Sequence, residues 1–285
     1  MATSSLLRQD FDSPCSTKQR EFTVKSAAEP FADAAKIFAR DGYYVAHKVY
    51  SDKMLLDLEE DFDRIVGQLE RSGENVNARW RGENMDALDG GASTIIHTHN
   101  VQRYSARWLQ ALQDDRFLGI AQSLLGPDIV LHHTKLFQKP PCSGAPFPVH
   151  QDWSYFPAKH DTMIAATVFL SDADEDAGGM RVYPGSHKLG RLENSSGMQP
   201  SESLKPYPLG RATPINARRG DVLFFSYFTL HGSLPNRSDN PRKTVLVQMY
   251  SGSDYLLDNS EAAHVNEQLV LAGWNHHMTR ARAED

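Results

Sequence analysis

Cysteine and long hydrophobic runs are both scarce in this sequence. Its 285 residues include only two cysteines, Cys15 and Cys142, which excludes a fold held together by a disulfide framework. No uncharged stretch approaches the roughly 20 apolar residues that a membrane helix requires, and the apolar run after Met1 is too short for a signal peptide. The sequence therefore predicts a cytoplasmic protein without a membrane partner.

Positive charge is not in excess either. The chain has 30 Lys and Arg residues against 36 Asp and Glu residues, which gives a net charge of −6, so a nucleic-acid partner is not expected. The sequence also lacks a Gly-x-Ser-x-Gly elbow, a phosphate-binding loop and a dinucleotide fingerprint, so hydrolase, kinase and dehydrogenase chemistry have no support. A globular monomer or homodimer that acts on a small molecule remains.

The chain divides by texture into a polar tail and one folded domain. Residues 1–25 are rich in Ser and Thr and are expected to be a disordered tail, while 26–285 are expected to form a single domain. Its first part, 26–125, is expected to be helical, with apolar residues at helical spacing over 28–40, 52–70 and 105–125. The stretch 71–94 has few aliphatic residues and no clear period, which predicts a long loop.

The texture changes after Gly126-Pro127, where short apolar runs begin to alternate with turn residues. This pattern predicts a β core over 126–255, followed by a C-terminal helix within 256–285. The expected fold class is therefore mainly β with helical additions: a β-sandwich or jelly roll flanked by N-terminal helices.

One short motif, His150-Gln151-Asp152, indicates a metal site. In an extended strand, residues i and i+2 point to the same face, so the two side chains can reach one ion. It is the only His-x-Asp or His-x-Glu in the chain. His231 follows a predicted strand and stands beside a glycine, and two histidines with one carboxylate make the facial triad of non-haem iron(II) oxygenases.

A 2-oxo acid co-substrate would need its own anchor. Arg242 opens the predicted strand that follows His231, and a guanidinium fork can bind the distal carboxylate of 2-oxoglutarate through two parallel hydrogen bonds. Ser233 can add a hydroxyl donor. Taken alone, Arg242 is better explained as a surface arginine beside Pro241, but its position 11 residues after His231 favours the co-substrate role.

The segments that carry these residues resemble the phytanoyl-CoA dioxygenase family. The resemblance extends over 95–255 and includes Gly126-Pro127-Asp128-Ile129, His133-Thr134-Lys135-Leu136, Lys139-Pro140-Pro141, His150-Gln151-Asp152, Tyr155-Phe156-Pro157, Pro184-Gly185-Ser186-His187, and His231-Gly232-Ser233 with Asn236 and Arg242.

The resemblance implies a cupin-like double-stranded β-helix with Fe(II) at His150, Asp152 and His231. It also implies 2-oxoglutarate on Arg242 and Ser233 and O2 as the second co-substrate. By the same resemblance, Lys135 and Thr167 line the co-substrate pocket, where the namesake enzymes are expected to carry methionine and tryptophan.

The expected reaction is hydroxylation of an unactivated C–H bond of a small metabolite, with release of succinate and CO2. One alternative is an acyl-CoA 2-hydroxylase of the phytanoyl-CoA type, and an alternative of another class is a non-catalytic, metal-binding jelly-roll protein. A halogenase would lack the carboxylate that Asp152 provides. We expect 71–99 to form the pocket mouth, where His97 or His99 can contact substrate.

Overall fold

Two antiparallel β-sheets line a common cavity in the computed structural model, which describes residues 31–73, 76–89, 93–257 and 265–278. The predicted mainly-β jelly roll with N-terminal helices is confirmed. The helices are α1 (Ala32–Asp41), α2 (Asp52–Arg71), α3 (Glu83–Asp89), α4 (Ala106–Ala111) and α5 (Asp115–Leu125). The predicted tail, 1–25, lies outside the described residues.

The strands fall into a larger and a smaller sheet. The larger sheet has the order β1-β8-β5-β10-β3-β11, with β2 also paired to β3, and comprises β1 (Tyr43–Ala46), β2 (Ile96–His99), β3 (Ile129–Lys139), β5 (Ile164–Phe169), β8 (Val222–Ser226), β10 (Arg242–Ser251) and β11 (Leu269–Ala272). The smaller sheet has the order β4-β9-β6-β7 and comprises β4 (Phe147–His150), β6 (Met180–Val182), β7 (Thr213–Pro214) and β9 (His231–Ser233).

Strand β10 shows how the large sheet separates core from cavity. Its apolar residues Val245, Val247 and Met249 are fully buried in the main hydrophobic core. Successive side chains of a strand alternate between the two faces, so the intervening residues turn to the cavity: Arg242, Thr244, Leu246 and Gln248. The sequence alternation of this one strand thus sets both the core and one wall of the pocket.

The helices cover the outer face of the large sheet. Phe62 of α2, Trp108 of α4 and Phe117 of α5 are at most 1% exposed and belong to the same core cluster as the apolar face of β10. Burial of one such side chain contributes about 1.5–3 kcal/mol. This packing holds the sheet that carries the cavity wall in a fixed position.

Helix boundaries follow the capping signals in the sequence. Ser51 caps α2 by accepting a hydrogen bond from the Met54 amide at 3.2 Å, which is the usual role of serine at this position. The helical stretch predicted over 105–125 consists of two helices, because Asp114 accepts hydrogen bonds from the Arg116 and Phe117 amides and starts a second helix. For the helix predicted over 28–40, residues 28–30 lie outside the described residues.

The prediction of a long loop over 71–94 is wrong in its centre, where α3 forms. Met85 of this helix is fully buried in a small cluster with Ile95 and Ala145. The Arg79 guanidinium pairs with Asp86 at 2.7 Å and with Asp89 at 2.6 Å. One buried side chain and these ion pairs order a short helix that has too few apolar residues to show a period.

The prediction of a C-terminal helix within 256–285 is wrong for the residues that the structure describes there. Leu269–Ala272 form β11, which pairs antiparallel with β3. The edge of β3 offers backbone donors and acceptors that a helix could not satisfy, so strand pairing overrides the local pattern. Residues 258–264 and 279–285 lie outside the described residues. Within the described ranges, no helix is long and apolar enough to cross a membrane.

Candidate metal centre

A cavity of about 560 Å³ lies between the inner faces of the two sheets. The larger sheet contributes side chains from five strands: His97, His99, His133, Lys135, Phe137, Thr167, Phe225, Arg242, Thr244, Leu246 and Gln248. The smaller sheet contributes His150, Met180, His231 and Ser233. A concave, mainly apolar pocket with a few convergent polar groups is typical of a small-molecule site.

The three residues predicted to bind metal come together at this cavity. The ligand atoms of His150, Asp152 and His231 all lie within 4.8 Å of one another, and all three residues are buried. Asp152 Oδ1 is 3.4 Å from His150 Nε2 and 3.6 Å from His231 Nε2. β4 ends at His150, but Gln151 remains extended at φ −115° and ψ 142°, which keeps His150 and Asp152 on one side.

Hydrogen bonds orient each of these side chains. His150 Nδ1 is 2.8 Å from the Pro148 carbonyl and His231 Nδ1 is 2.9 Å from the Thr229 carbonyl. Because a carbonyl can only accept, each Nδ1 must carry the proton, and each Nε2 keeps a lone pair toward Asp152. Gln248 Nε2 donates to Asp152 Oδ2 at 2.7 Å, which leaves Oδ1 toward the histidines.

The charge states at this centre also suit a metal ion. Burial would raise the pKa of Asp152, but the two histidines and the Gln248 amide outweigh it and hold that pKa at about 2. Burial and the neighbouring His150 lower the pKa of His231 to about 4, against the opposing effect of Asp152. At neutral pH a carboxylate therefore faces neutral imidazole, and these are the forms that ligate metals.

A second polar cluster surrounds the guanidinium of Arg242 at another part of the cavity. Arg242 Nη1 donates to the Gly178 carbonyl at 2.7 Å, while its buried Nε has no hydrogen-bond partner among the described residues. Burial lowers the pKa of Arg242 to about 10, so it is still a cation at neutral pH. Arg242 forms no ion pair with a carboxylate in the described part of the chain.

Lys139 lies directly opposite Arg242 in the pairing of β3 with β10 and is 0% exposed. Its ammonium donates to Ser233 Oγ at 2.7 Å and to the Leu234 carbonyl at 2.5 Å. Burial and the charge of Arg242 lower the pKa of Lys139. A buried lysine and a buried arginine that no carboxylate of the described residues neutralises are costly to the fold, and an anionic ligand at Ser233 and Arg242 would offset that cost.

The other predicted site residues lie in one row across the large sheet. Leu246 pairs with Thr167 of β5 on one side and with Lys135 of β3 on the other, and Lys135 pairs in turn with His99 of β2. All four line the cavity, as does His97. Both histidines for which substrate contact was expected thus face the pocket.

Aromatic side chains form the wall beside the candidate metal ligands. The centroid of the Trp80 ring lies 4.8 Å from the centroid of the His150 ring, 5.0 Å from that of Phe147 and 5.9 Å from that of Tyr155. Trp80 lies in the segment expected to form the pocket mouth, but no local pattern in the sequence predicts its contact with His150. The sequence gives only a weak signal for Trp80, because a single aromatic residue in a stretch without a clear period can be present for many structural reasons.

Gln248 and Lys139 are further residues that the sequence analysis did not assign to the site. Gln248 stands six residues after Arg242 on the same strand, so the period of two places it on the face that carries Arg242. Once Arg242 is assigned to the site, the period of two is therefore enough to predict that Gln248 faces the same cavity. Lys139 belongs to one of the segments that resemble the family, but no local pattern in the sequence predicts that its ammonium donates a hydrogen bond to Ser233.

The donor set at the centre fits an iron(II) ion. Two imidazole Nε2 atoms and one carboxylate oxygen converge there, and the remaining polar atoms of the three ligands are engaged by Pro148, Thr229 and Gln248. Such outer hydrogen bonds are the usual support of metal-binding histidines and carboxylates. Two histidines and one carboxylate leave other coordination positions open to ligands.

Comparison with known proteins gives a consistent result. The sequence model of the family described as phytanoyl-CoA dioxygenase (PhyH) matches residues 38–244. The chain is 26% identical over 243 residues to a probable alpha-ketoglutarate-dependent hypophosphite dioxygenase of Stutzerimonas stutzeri, with 79% of each chain covered. It is 24% identical over 239 residues to the ectoine dioxygenase of Bordetella bronchiseptica, with 76% of this chain and 74% of that one covered.

Solved structures show the same fold. The epimerase SnoN in complex with Fe3+, alpha ketoglutarate and nogalamycin RO superposes with a TM-score of 0.67 at 19% sequence identity. The match covers 85% of this chain and 98% of SnoN. At this identity the likeness establishes a common architecture, and the function has to be argued from the residues.

Proposed function

Because this chain belongs to the phytanoyl-CoA dioxygenase family of iron- and 2-oxoglutarate-dependent oxygenases, we propose that it hydroxylates an unactivated C–H bond of a small metabolite and releases succinate and CO2. The observation that carries this proposal is the convergence of His150, Asp152 and His231 at the cavity. A merely structural metal would not need open coordination positions beside a 560 Å³ pocket.

The metal ligands in this proposal are His150 and His231 through Nε2 and Asp152 through Oδ1. Iron(II) together with 2-oxoglutarate and O2 supplies the oxidising chemistry. The protein contributes orientation: the Pro148 and Thr229 carbonyls fix the imidazole tautomers, and the Gln248 amide fixes the carboxylate.

The co-substrate anchor is the cluster of Arg242 and Ser233. A guanidinium with an unpartnered Nε–H and a serine hydroxyl held by Lys139 both suit the distal carboxylate of 2-oxoglutarate. Thr167, two strands from Lys135 across Leu246, lines the wall on the side of β5. The aromatic wall of Trp80 and Phe147 limits the access of water to the reacting centre.

The size and charge of the site favour a small substrate over an acyl-CoA thioester. Three arginines lie in or near the segment expected to form the mouth, and two of them are engaged internally: Arg79 pairs with Asp86 and Asp89, and Arg103 pairs with Glu267, while Arg81 is exposed. They do not form the clustered basic surface that CoA phosphates would need. The hypophosphite and ectoine dioxygenases to which the chain is similar are also named for small molecules.

The proposed activity is tested by incubating the purified protein with Fe(II), 2-oxoglutarate and O2 and measuring succinate. Succinate that depends on iron, rises with a small organic substrate and accompanies a product with one added oxygen atom is the expected result. The absence of any iron-dependent succinate would favour the non-catalytic alternative. Stimulation by branched acyl-CoAs alone would favour the acyl-CoA 2-hydroxylase, and a chlorinated product in chloride buffer would overturn hydroxylation.

A further inference from the structure

We propose that Lys135, His97 and His99 form a subsite for an oxyanion group of the primary substrate, a carboxylate or a phosphonate. This inference rests on the proposed function, because it assigns a substrate class to the same cavity. Lys135 then serves the primary substrate, whereas the family resemblance implies a position in the co-substrate pocket. The structure allows the two roles to be compared.

The placement of the three residues follows from strand pairing. His97 and His99 are two residues apart on β2 and point to the same side, and His99 is the register partner of Lys135 on β3. The centroids of the His97 and His99 rings lie 5.3 Å apart. The Lys135 ammonium lies 5.0 Å from the centroid of the Phe137 ring. All of them line the cavity, so three basic side chains converge on one part of its wall.

Lys135 has a charge that the described residues do not neutralise. Its ammonium forms no ion pair and no hydrogen bond with them, and among the described residues that line the cavity Asp152 is the one carboxylate. Burial lowers the pKa of Lys135 to about 8 while Asp152 opposes this effect, so the ammonium is mostly charged at neutral pH. A cation that faces the cavity without an ion pair among the described residues indicates an anionic ligand.

The position of Lys135 separates it from the co-substrate anchor. Its register partner on β10 is Leu246, four residues from Arg242 and two from Gln248. At about 3.4 Å per residue, the backbone of Leu246 lies roughly 13 Å along β10 from that of Arg242. Its distance along the strand from Gln248 is half as long. The electrostatic evidence agrees, since the pKa of Lys135 responds to Asp152 and that of Lys139 responds to Arg242. Lys135 thus belongs to the metal end of the cavity.

The histidines suit an oxyanion because they act as neutral donors. Burial and the charge of Lys135 lower the pKa of His97 to about 3 and that of His99 to about 4. His97 Nδ1 is buried and has no hydrogen-bond partner among the described residues. A neutral imidazole can donate one N–H, and an ammonium adds a charge-assisted bond. A carboxylate or phosphonate group can use these donors together, whereas a neutral group leaves the ammonium without a counter-charge.

The charge balance gives the same selectivity. The distal carboxylate of 2-oxoglutarate is the counter-charge of Arg242 in the proposed complex, and Arg79 is already paired with Asp86 and Asp89. Lys139 is fully buried and is not among the residues that line the cavity. Among the described residues, Lys135 therefore remains as the cation available to the primary substrate. A small acid whose reactive C–H bond lies beside its oxyanion group matches this arrangement, because Lys135 is close to the candidate metal ligands.

The test measures binding to the anaerobic holoprotein loaded with Fe(II) and saturating 2-oxoglutarate. Propionate and methylphosphonate are the anionic probes, and propionamide and dimethyl sulfone are the neutral ones, with Kd measured by calorimetry. The variants are Lys135→Met, which keeps the length of the side chain, and Lys135→Arg, which keeps its charge. The control is Lys205→Met, since Lys205 is exposed.

We expect the native protein to bind at least one anionic probe more tightly than both neutral probes. Lys135→Met should weaken that binding by about 10- to 100-fold, the effect of losing one charge-assisted hydrogen bond, and Lys135→Arg should restore part of it. The Kd of 2-oxoglutarate should change less than threefold. The two anionic probes distinguish a planar carboxylate subsite from a tetrahedral phosphonate subsite.

Three results would overturn the subsite. They are no saturable binding of either anion, anion binding that Lys135→Met leaves unchanged, and a loss of 2-oxoglutarate affinity in Lys135→Met as large as the loss of anion affinity. The last result would return Lys135 to the co-substrate. Iron-dependent succinate formation without added substrate tests the proposed function separately, so either proposal can fail while the other stands.

Discussion

The ammonium of Lys139 donates a hydrogen bond to Ser233 Oγ over 2.7 Å in the buried floor of the cavity. This contact determines the role of the serine hydroxyl. Because an ammonium can only donate, it occupies an acceptor position of the Ser233 oxygen, and the Ser233 hydroxyl has no other hydrogen-bond partner among the described residues. The Ser233 proton is therefore available to a carboxylate beside Arg242.

Replacing Lys139 by methionine tests this relationship. We expect Lys139→Met to raise the KM for 2-oxoglutarate by about 10-fold, since the serine hydroxyl loses its orientation and one buried positive charge is removed. The kcat at saturating co-substrate should change less. The double variant with Ser233→Ala should be little worse than either single variant, because the two residues act on one bond.

A purely structural role for Lys139 predicts a different pattern. Loss of stability alone would lower the active fraction and kcat without a selective change in KM, and its effect would add to that of Ser233→Ala. Thermal unfolding of each variant provides the comparison. Lys205→Met, at an exposed position, should leave both kinetic constants unchanged.

The candidate metal ligands yield the most drastic variants. His150→Ala, Asp152→Ala and His231→Ala should each abolish iron-dependent succinate formation, because each removes one of three protein ligands. Metal content measured after loading with Fe(II) should fall in all three, whereas circular dichroism should remain close to that of the native protein. Near-native succinate formation by any one variant would remove that residue from the ligand set.

Arg242→Lys should raise the KM for 2-oxoglutarate by roughly 10- to 100-fold, because a point charge replaces a planar fork that donates two parallel bonds. Steady-state kinetics with varied 2-oxoglutarate provide the measurement. Arg237→Lys is the matched control, since Arg237 is close in sequence but exposed. An unchanged KM in Arg242→Lys, or a rise in Arg237→Lys, would contradict the assignment.

Gln248 should act on the metal through Asp152. Gln248→Leu removes the amide that donates to Asp152 Oδ2, so we expect Fe(II) affinity to fall by about 10- to 100-fold, the usual effect of losing an outer hydrogen bond at a metal site. Competition with a chelator measures this affinity directly. Gln138→Leu, on the opposite face of the neighbouring strand β3, should leave it unchanged.

The sequence predicts those parts of the site that depend on local backbone geometry. His150 and Asp152 are two residues apart, and Arg242, Thr244 and Gln248 share one face of a strand, so the period of two is sufficient to group them. Grouping these residues requires only the prediction that the segment is a strand. The same rule explains why the jelly roll was recognisable from alternating apolar runs.

Other features depend on contacts between distant segments and leave little local signal. Lys139 looks like a surface lysine in the sequence, yet the pairing of β3 with β10 and the approach of Ser233 bury it completely. The helix α3 depends on Met85 reaching a small cluster, and β11 depends on the free edge of β3. Tertiary contacts of this kind override propensity.

The last prediction concerns Lys135 and pH. Its pKa in the folded protein, about 8, lies below the ordinary lysine value of 10.5 because burial disfavours the ammonium. Below pH 8 the folded protein therefore carries an unfavourable buried charge, and this cost disappears as pH rises from 8 to 10.5. Lys135→Met should accordingly stabilise the ligand-free protein at pH 7 by about 1–3 kcal/mol, and the gain in Tm over the native protein should vanish near pH 10.5.

Binding of an anionic probe should depend on Lys135 in the opposite way. The native protein should bind the probe strongly below pH 8 and more weakly above it, because the ammonium loses its proton. Lys135→Met should bind the probe weakly at every pH. Thermal unfolding and calorimetric titration at five pH values from about 7 to about 11 measure both effects on the same samples. A Tm difference that does not change with pH, or anion binding that persists in the native protein above pH 10, would show that the Lys135 ammonium is not the group responsible.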